Sequence, residues 1–278
     1  MLYDEIDWAD VWIEQMKLHN EADEQVQQPD RWGTYENARR FWQSSRKSGK
    51  RLEKTLREIK HDSDSRILDI GAGPGSMAIP LAQRVSHVTA VEPAEGMTEV
   101  LKENIKHYHL NNVTCIQENW EDVSLEELDS PYDVIVASYS LHVPDIREAI
   151  EKIQQLSSGK VYIYWFAGAT SWDKNYSRIW PQLHGRQYYP SPKCDVLYNV
   201  LYRMGIYPDM ENFELIHETR FSSLDEAVQH YKPHYKIATN EQEQILRSHL
   251  EEILEKKGDE LVQVGRSSRV KISWDNSH

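Results

Sequence analysis

The feature that most constrains this chain is the stretch Arg66–Ser76, where a short apolar run leads into three closely spaced glycines. The run Ile67–Ile70 contains one carboxylate, Asp69, and the glycines follow at positions 71, 73 and 75. Glycine removes the Cβ atom where the backbone must turn tightly or let a ligand approach. A strand, a glycine-rich turn and a helix in this order form the first unit of an open α/β sheet. The stretch therefore predicts a binding surface for a cofactor that contains a nucleoside.

Short β-branched runs alternate with segments of helical periodicity from residue 67 to residue 167. The predicted strands after the first are residues 88–92, 113–117, 133–138 and 160–167. The predicted helices between them include residues 76–85, 97–108 and 146–156, the last with Asp145 as its N-cap and Gly159 as its stop. Because the strands are almost continuously apolar, we expect a doubly wound, mostly parallel sheet with helices on both faces.

The pattern changes outside this alternating segment. Residues 168–207 form an aromatic-rich insertion after the fifth strand, and its closing helix is predicted to end at Gly205. A strand over 212–221, two helices and a last strand over 269–274 follow. We predict an N-terminal helical cap over residues 1–63 and a second domain over 64–278. The cap covers an edge of the sheet, forms a lid over the cofactor, or does both.

Charge and cysteine content limit the partners of the chain. The net charge is −13, which argues against a nucleic-acid partner, because phosphate binding needs a basic face. The densest basic run, between Arg39 and Arg51, is interpreted as a solvated helix face. With two cysteines and no pattern of a signal peptide or membrane span, we expect a cytoplasmic protein without a membrane or metal site.

Aromatic residues are distributed unusually, with nine Trp and 15 Tyr against four Phe. Tyr and Trp combine an apolar ring with a polar group, which suits the walls of a half-wet pocket. Four such residues in the insertion are therefore candidates for substrate contacts: Trp172, Tyr176, Tyr188 and Tyr189.

The spacing of the glycines distinguishes between two kinds of cofactor. Turns that bind NAD read G-x-G-x-x-G, whereas here the third glycine comes one position early and Ser76 follows it. Glu92 ends the second predicted strand, where a carboxylate can accept both hydroxyls of a ribose. Asn119 and Trp120 end the third, where a side-chain amide and a backbone N–H can read the edge of an adenine.

These segments resemble the motifs of the class I S-adenosylmethionine-dependent methyltransferases. Leu68–Gly75 is similar to the first motif, and Val91–Pro93 with Met97 is similar to the second. Glu118–Asp122 resembles the turn that reads adenine, with Asn119 in place of the commoner aspartate.

Asp133–His142 resembles the fourth strand of this family and the loop that follows it. The resemblance covers residues 64–167 well and the rest of the chain loosely. It implies a seven-stranded sheet with a reversed last strand and S-adenosylmethionine as cofactor. The cofactor-binding residues it implies are Asp69, Gly71, Ala72, Gly73, Gly75, Glu92, Pro93, Met97, Asn119, Trp120, Ser138 and Tyr139.

Catalytic residues are difficult to predict for methyl transfer, because an in-line displacement needs a positioned acceptor more than a nucleophilic side chain. His142 is a candidate base, although packing and hydrogen bonding within its loop is the favoured interpretation. His184 is a second candidate, for contact with substrate. Tyr35 and Arg39 are candidates to close over the carboxylate of the cofactor.

The function predicted from these observations is methylation of a small molecule. Methylation of a protein side chain is an alternative, as is a cofactor-binding regulatory protein without transfer activity. A dehydrogenase is disfavoured by the early third glycine and by the final strand after two late helices. The acceptor atom and the oligomeric state are left open at this point.

Overall fold

The computed structural model describes residues 5–24, 33–47 and 49–277. Its helices and strands follow one another as α1 (Trp8–Glu24), α2 (Tyr35–Lys47), α3 (Gly49–Glu58), β1 (Arg66–Ile70), α4 (Ala78–Ala82), β2 (His87–Val91), α5 (Glu95–His107), β3 (Val113–Ile116), β4 (Tyr132–Ser138), α6 (Ile146–Leu156), β5 (Ser157–Phe166), α7 (Ser171–His184), α8 (Cys194–Arg203), β6 (Asp209–Phe221), α9 (Leu224–Tyr231), α10 (Asn240–Ile253), β7 (Glu255–Lys257) and β8 (Glu260–Asp275).

The chain forms two compact units. The core unit comprises residues 29–165, 198–210 and 271–278, and the aromatic unit comprises residues 1–28, 166–197 and 211–270. Helix α1 belongs to the aromatic unit, whereas α2 and α3 belong to the core unit. The predicted boundary between a cap and a second domain at residue 63 stays a prediction, and Trp32 lies outside the described residues.

The core unit contains a parallel sheet in the order β3-β2-β1-β4-β5. Strand β1 lies in the middle of this order, and Asp69 pairs with Ala90 on β2 and with Val136 on β4. The last residues of β8 lie beside β5, where Asn276 N donates to Gly159 O at 2.8 Å. The predicted α/β fold with a mostly parallel sheet is therefore confirmed.

Helix α6 illustrates how local sequence sets the boundaries of an element. Asp145 is its N-cap, as predicted, and accepts hydrogen bonds from the N–H groups of Arg147 at 2.8 Å and Glu148 at 3.2 Å. The predicted stop at Gly159 is wrong, because α6 ends at Leu156 and Gly159 lies within β5. A Cβ on Gly159 would lie 2.4 Å from Asp133 O, so the glycine allows β5 to approach β4 closely.

In the aromatic unit, β8 pairs with β6 and with the short strand β7. Helix α7 fills a segment for which the sequence analysis predicted aromatics without a helix. It begins with a capping box in which Asp173 N donates to Thr170 Oγ1 and Thr170 N donates to Asp173 Oδ2. Side chains from α7, α9 and α10 form the core, including Ile179, Val228 and Leu246.

Further boundaries differ from the predictions. Helix α4 covers only residues 78–82 of the predicted 76–85, because the glycine turn extends to Met77. Strand β8 begins nine residues before the predicted strand 269–274, and β7 was not predicted. The last strand is reversed relative to β5, since Ala167 N donates to Ser268 O at 3.0 Å while residue 276 pairs with residue 159.

Cys115 and Cys194 are both free thiols and both half-buried. Burial raises the pKa of each thiol above its ordinary value. Cys115 lies on β3 of the core unit. Cys194, the first residue of α8, belongs to the aromatic unit, whereas residues 198–203 of this helix belong to the core unit. No helix in the described ranges is both long enough and apolar enough to cross a bilayer. A cytoplasmic location stays a prediction.

Candidate cofactor site

The glycine turn ties the end of β1 to the end of β2. The N–H groups of Gly71 and Ala72 both donate to Val91 O, at 2.8 and 3.0 Å, and Gly75 N donates to Ala72 O at 3.0 Å. Glycines 71, 73 and 75 have φ values of +69°, +55° and +91°. Residues with a Cβ rarely adopt this left-handed region, so the path of the turn depends on glycine.

Two of the glycines serve different purposes. A Cβ on Gly71 would lie 2.2 Å from Ser140 Cβ, so this glycine allows the loop after β4 to approach the turn. Ser140 Oγ also donates to Ile70 O, which fixes that loop to the end of β1. A Cβ on Gly73 would meet no described atom within 4 Å, so the backbone there faces open space. The sequence analysis included Ser140 in this loop but assigned it no role.

Glu92 lies directly after β2 and is only 8% exposed. Its Oε2 accepts a hydrogen bond from Gly73 N at 2.8 Å, and its Oε1 accepts one from Ala94 N at 3.0 Å. These bonds hold the carboxylate beside the glycine turn. Each carboxylate oxygen has two lone pairs, so each can accept a further donor such as a ribose hydroxyl.

Asp69 lies on β1 beneath the turn and is 1% exposed. Its Oδ2 is buried without a hydrogen-bond partner in the described part of the chain. Burial raises the pKa of its carboxyl to about 7, the charge of Glu92 adds to this, and a backbone hydrogen bond from Ala78 opposes it. The site thus contains a buried acid with an unused acceptor atom beside a second carboxylate.

Met97 and Tyr35 lie on neighbouring helices of the core unit. Met97 is buried with Ala38 and Val100, and the Tyr35 ring packs against this cluster. The Tyr35 hydroxyl donates to Glu103 Oε1 at 2.9 Å and accepts from Arg39 at 3.0 Å. These contacts fix α2 on α5, and the predicted role of Tyr35 at the cofactor stays a prediction.

Residues just before α2 and near its end contact segments that contain predicted cofactor-binding residues. Gly96 N donates to Gly33 O at 3.1 Å, and a Cβ on Gly96 would lie 2.5 Å from the carbonyl carbon of Thr34. Ser76, in the glycine turn, donates to the hydroxyl of Ser45 on α2 at 3.1 Å. Pro93, which precedes α5, is exposed.

The predicted adenine turn is closed by its own hydrogen bonds. Asn119 Nδ2 donates to Asp122 Oδ2 at 2.8 Å, and Asn119 O accepts from Asp122 N at 3.0 Å. The Trp120 ring is buried, with Lys152 Nζ 4.5 Å from its centre. The side chain of Asn119 is exposed, and its contact with adenine stays a prediction.

The loop after β4 contains the remaining candidates of the core unit. Ser138 ends the strand and is half-buried. Tyr139 has a φ of +60°, and its N–H donates to Tyr164 O at 2.9 Å. Strained residues of this kind concentrate at functional sites. His142 is exposed, and its ring lies 4.9 Å from that of Trp165.

Most of the candidates in the insertion pack against other rings of the aromatic unit. The Tyr176 ring lies 5.1 Å from Tyr188 and 5.8 Å from Trp180. His184 Nε2 donates to Tyr235 O at 3.0 Å, and burial lowers the pKa of this histidine. A role of these residues in substrate binding stays a prediction.

The ends of the same segment are more accessible. Tyr189 is 43% exposed, and its carbonyl oxygen accepts from His19 Nδ1 at 2.8 Å. Trp172 is half-buried, with the guanidinium of Arg269 5.2 Å from its ring centre. Lys193 and Asp173 form a largely buried ion pair at 3.0 Å, which the sequence analysis did not predict because the partners are twenty residues apart.

The fold is similar to that of solved methyltransferases. A putative methyltransferase from Bacillus halodurans superimposes with a TM-score of 0.57 over 82% of this chain and 99% of that one, at 12% identity. The YcgJ protein from Bacillus subtilis gives a TM-score of 0.55 over 80% of this chain and 97% of that one, at 15% identity. At such identities the likeness shows the fold alone.

The sequence itself decides the family. Residues 67–158 match the family model described as "Methyltransferase domain". Residues 67–158 therefore carry a methyltransferase domain, and their motifs are the ones that resemble the class I S-adenosylmethionine-dependent family. S-adenosylmethionine is therefore its cofactor, as the glycine spacing and the resemblance predicted. The matched residues contain the glycine turn, Glu92 and Asn119.

Relatives with curated descriptions match shorter parts. An uncharacterized protein of Haemophilus influenzae is 28% identical over 162 residues, which span 58% of each chain. A 23S rRNA (uracil(1939)-C(5))-methyltransferase of Enterobacter is 36% identical over 71 residues, 26% of this chain and 16% of that protein. This chain thus spans well under two thirds of these relatives.

The described residues fit the chemistry of S-adenosylmethionine. The cofactor carries an ammonium and a sulfonium, which the buried acceptor of Asp69 and the charge of Glu92 favour electrostatically. It also carries ribose hydroxyls, which a carboxylate such as Glu92 can accept in addition to its backbone donors. The open space at Gly73 admits a ligand close to the backbone.

Proposed function

We propose that this protein transfers the methyl group of S-adenosylmethionine to a small-molecule acceptor. One observation supports cofactor use above the others. Two carboxylates, Asp69 and Glu92, lie beside a turn whose central glycine faces open space. A metal is not needed for this reaction. The cofactor provides the reactive methyl group, and the chain positions the reactants.

In this proposal Glu92 accepts the ribose hydroxyls of the cofactor. Each such charge-assisted hydrogen bond contributes about 1.5–3 kcal/mol to binding. The bonds from Gly73 N and Ala94 N hold the carboxylate in place before the cofactor arrives. The binding site is then largely preformed, which lowers the entropy that binding costs.

The bound cofactor supplies a methyl group attached to a positively charged sulfur. The sulfur leaves readily as a neutral thioether. The acceptor contributes the electron pair of the new bond, so the chain need not provide a nucleophile. The chain contributes by holding the acceptor atom in line with the sulfur–carbon bond that breaks. Such positioning can lower the barrier by roughly 7–11 kcal/mol. Where the acceptor must lose a proton, His142 is our candidate base, since its side chain is exposed in the loop after β4.

A small acceptor is favoured over a nucleic acid by the net charge of −13. Phosphate backbones bind to basic faces, and the acidic chain opposes such an encounter over its surface as a whole. The rRNA substrate in the name of the Enterobacter relative belongs to that protein, which shares 71 aligned residues with this chain. Methylation of a protein side chain is the alternative acceptor that the experiments must separate.

Cofactor binding is tested by titration calorimetry with S-adenosylhomocysteine, and with NAD in parallel. We expect binding of the first alone, and Glu92→Ala should weaken it by one to two orders of magnitude, about 1.4–2.8 kcal/mol. Glu95→Ala, an exposed carboxylate on the first turn of α5, is the control and should bind normally. Binding of NAD alone would refute the proposal.

The acceptor is identified with a methyl-labelled cofactor and a cell extract separated into small molecules, RNA and protein. We expect label in the small-molecule fraction with the unchanged protein, and none with Glu92→Ala at a low cofactor concentration. Label in RNA or protein would leave the methyltransferase activity in place and overturn the assignment of the acceptor.

A further inference from the structure

The surroundings of Asp69 are unusual for an ionised carboxylate. Its neighbours in the sheet are Ala90 and Val136, which are apolar and fully buried. The backbone of Ala78, at the start of α4, provides a hydrogen bond to the carboxyl, while Oδ2 has no partner in the described residues. Burying a charge without compensation is costly, so a buried acid in this position holds its proton up to a higher pH than an exposed one.

The charged group that acts on Asp69 is Glu92, from the end of β2. Both of its carboxylate oxygens already accept backbone N–H bonds, from Gly73 and Ala94. Two like charges at one site disfavour the ionisation of one member. Since Glu92 has two fixed donors and Asp69 has one, the proton belongs on Asp69.

We infer that Asp69 carries a proton in the cofactor-free site and releases it when S-adenosylmethionine binds, so that this residue selects the cofactor by its charge. The inference rests on the proposed function, because it requires that this site binds the cofactor. A neutral Asp69 lowers the free-energy cost of burying this carboxyl in the cofactor-free site. Its ionised form provides the second negative charge that a ligand with two positive groups favours.

The burial of Asp69 raises its pKa to about 7, so the proton is half-bound near neutral pH. The ionised form of Asp69 is the one that binds a cation well. It is a small fraction of the protein at acidic pH and most of the protein at alkaline pH. Apparent affinity scales with the competent fraction. Binding of S-adenosylmethionine therefore strengthens as pH rises, by about tenfold between about pH 6 and about pH 8.

The product of the reaction lacks the sulfonium charge. S-adenosylhomocysteine therefore draws the proton from Asp69 less strongly, and its affinity changes less with pH. Asp69 thus favours the methyl donor over its product most strongly at alkaline pH. This preference limits product inhibition when protons are scarce.

The inference is tested by calorimetry with purified S-adenosylmethionine and S-adenosylhomocysteine at about pH 6, 7 and 8. Measuring the binding heat at about pH 7 in two buffers of different ionisation enthalpy gives the proton count, with roughly 0.5 proton released per cofactor expected. Asp69→Asn keeps an acceptor for the N–H of Ala78 and cannot titrate. It should bind without proton release and without the tenfold change.

The amino group of the ligand titrates equally with both proteins, so the ratio of their affinities isolates Asp69. Glu95→Gln, an exposed acid on α5, is the matched control and should behave as the unchanged protein. Proton release that persists in Asp69→Asn, or its absence from the unchanged protein, would overturn the inference while leaving cofactor binding intact. Failure to bind either ligand at any pH would overturn the proposed function together with it.

Discussion

The glycine turn of the core unit and the aromatic segment of the other unit differ in how their polar groups are used. At the turn, Asp69 Oδ2 lacks a partner and the backbone at Gly73 faces open space. In the aromatic segment, Tyr176 and Tyr188 contact rings of their own unit, and His184 donates to a backbone carbonyl. The first region combines an acceptor without a partner in the described residues with open space. In the second, the rings pack against one another, although Trp180 Nε1 is also buried without a hydrogen-bond partner in the described residues.

This difference shows why two equally prominent sequence signals have unequal value. Glycines, carboxylates and their spacing indicate an unfilled site, because a protein alone has little use for such groups beside one another. Aromatic residues indicate burial of any kind, in a core or in a pocket. The position of a tyrosine in a sequence does not distinguish these two cases.

The largest expected effect tests whether the aromatic segment is a core. Trp180 is 2% exposed and lies against Tyr176, His184 and Tyr188. Trp180→Ala should lower stability by about 3–5 kcal/mol, because it leaves a large cavity. Thermal unfolding measures the loss, and calorimetry at a temperature where the variant is folded should give unchanged affinity for S-adenosylhomocysteine. A stable variant with lost affinity would move the cofactor site to this segment.

The second test concerns the turn. Gly71→Ala places a Cβ 2.2 Å from Ser140 Cβ at a φ of +69°, so the turn or the loop must shift, at a cost of about 1–3 kcal/mol. Gly73→Ala meets no described atom within 4 Å, and its cost in stability is only the left-handed backbone, about 1–2 kcal/mol. Urea unfolding compares the two, and both should weaken binding of S-adenosylhomocysteine. Normal binding by Gly73→Ala would show that the cofactor does not approach that backbone.

The smallest expected effect separates two roles of Tyr35. Tyr35→Phe removes the hydroxyl that donates to Glu103, which should lower stability by about 0.5–1.5 kcal/mol in urea unfolding. Because that hydroxyl bonds to α5, cofactor affinity should change less than threefold, about 0.7 kcal/mol. Tyr108→Phe is the control, since the described contacts of Tyr108 with Trp42 and Arg46 involve its ring. A loss of affinity above tenfold would establish Tyr35 at the cofactor.

The sequence predicted the elements whose signals are local. Strands β1 to β5 are short apolar runs bounded by polar residues, and Asp145 marks the start of α6 by its side-chain chemistry. Gly159 misled the prediction because a glycine after a helix usually ends it. The true reason for this glycine is the backbone of Asp133, which is remote in sequence.

Helix α7 was missed although its start carries the capping signal Thr170 and Asp173. Pro181 within the helix and Gly185 after it made the segment resemble a loop. The coupling of Asp69 with Glu92 depends on the pairing of β1 with β2, which brings residues 23 positions apart together. Such couplings follow from the folded sheet and not from a local pattern.

Each of the two units contains one cysteine that can be labelled chemically. Cys115 lies on β3 of the core unit and Cys194 at the start of α8 in the aromatic unit, and both are free thiols. Their raised pKa values mean that few thiolates exist at neutral pH, so labelling with a maleimide is slow there and faster in mildly alkaline buffer. A donor and acceptor dye on these native positions would report the distance between the units during cofactor binding, without any engineered residue.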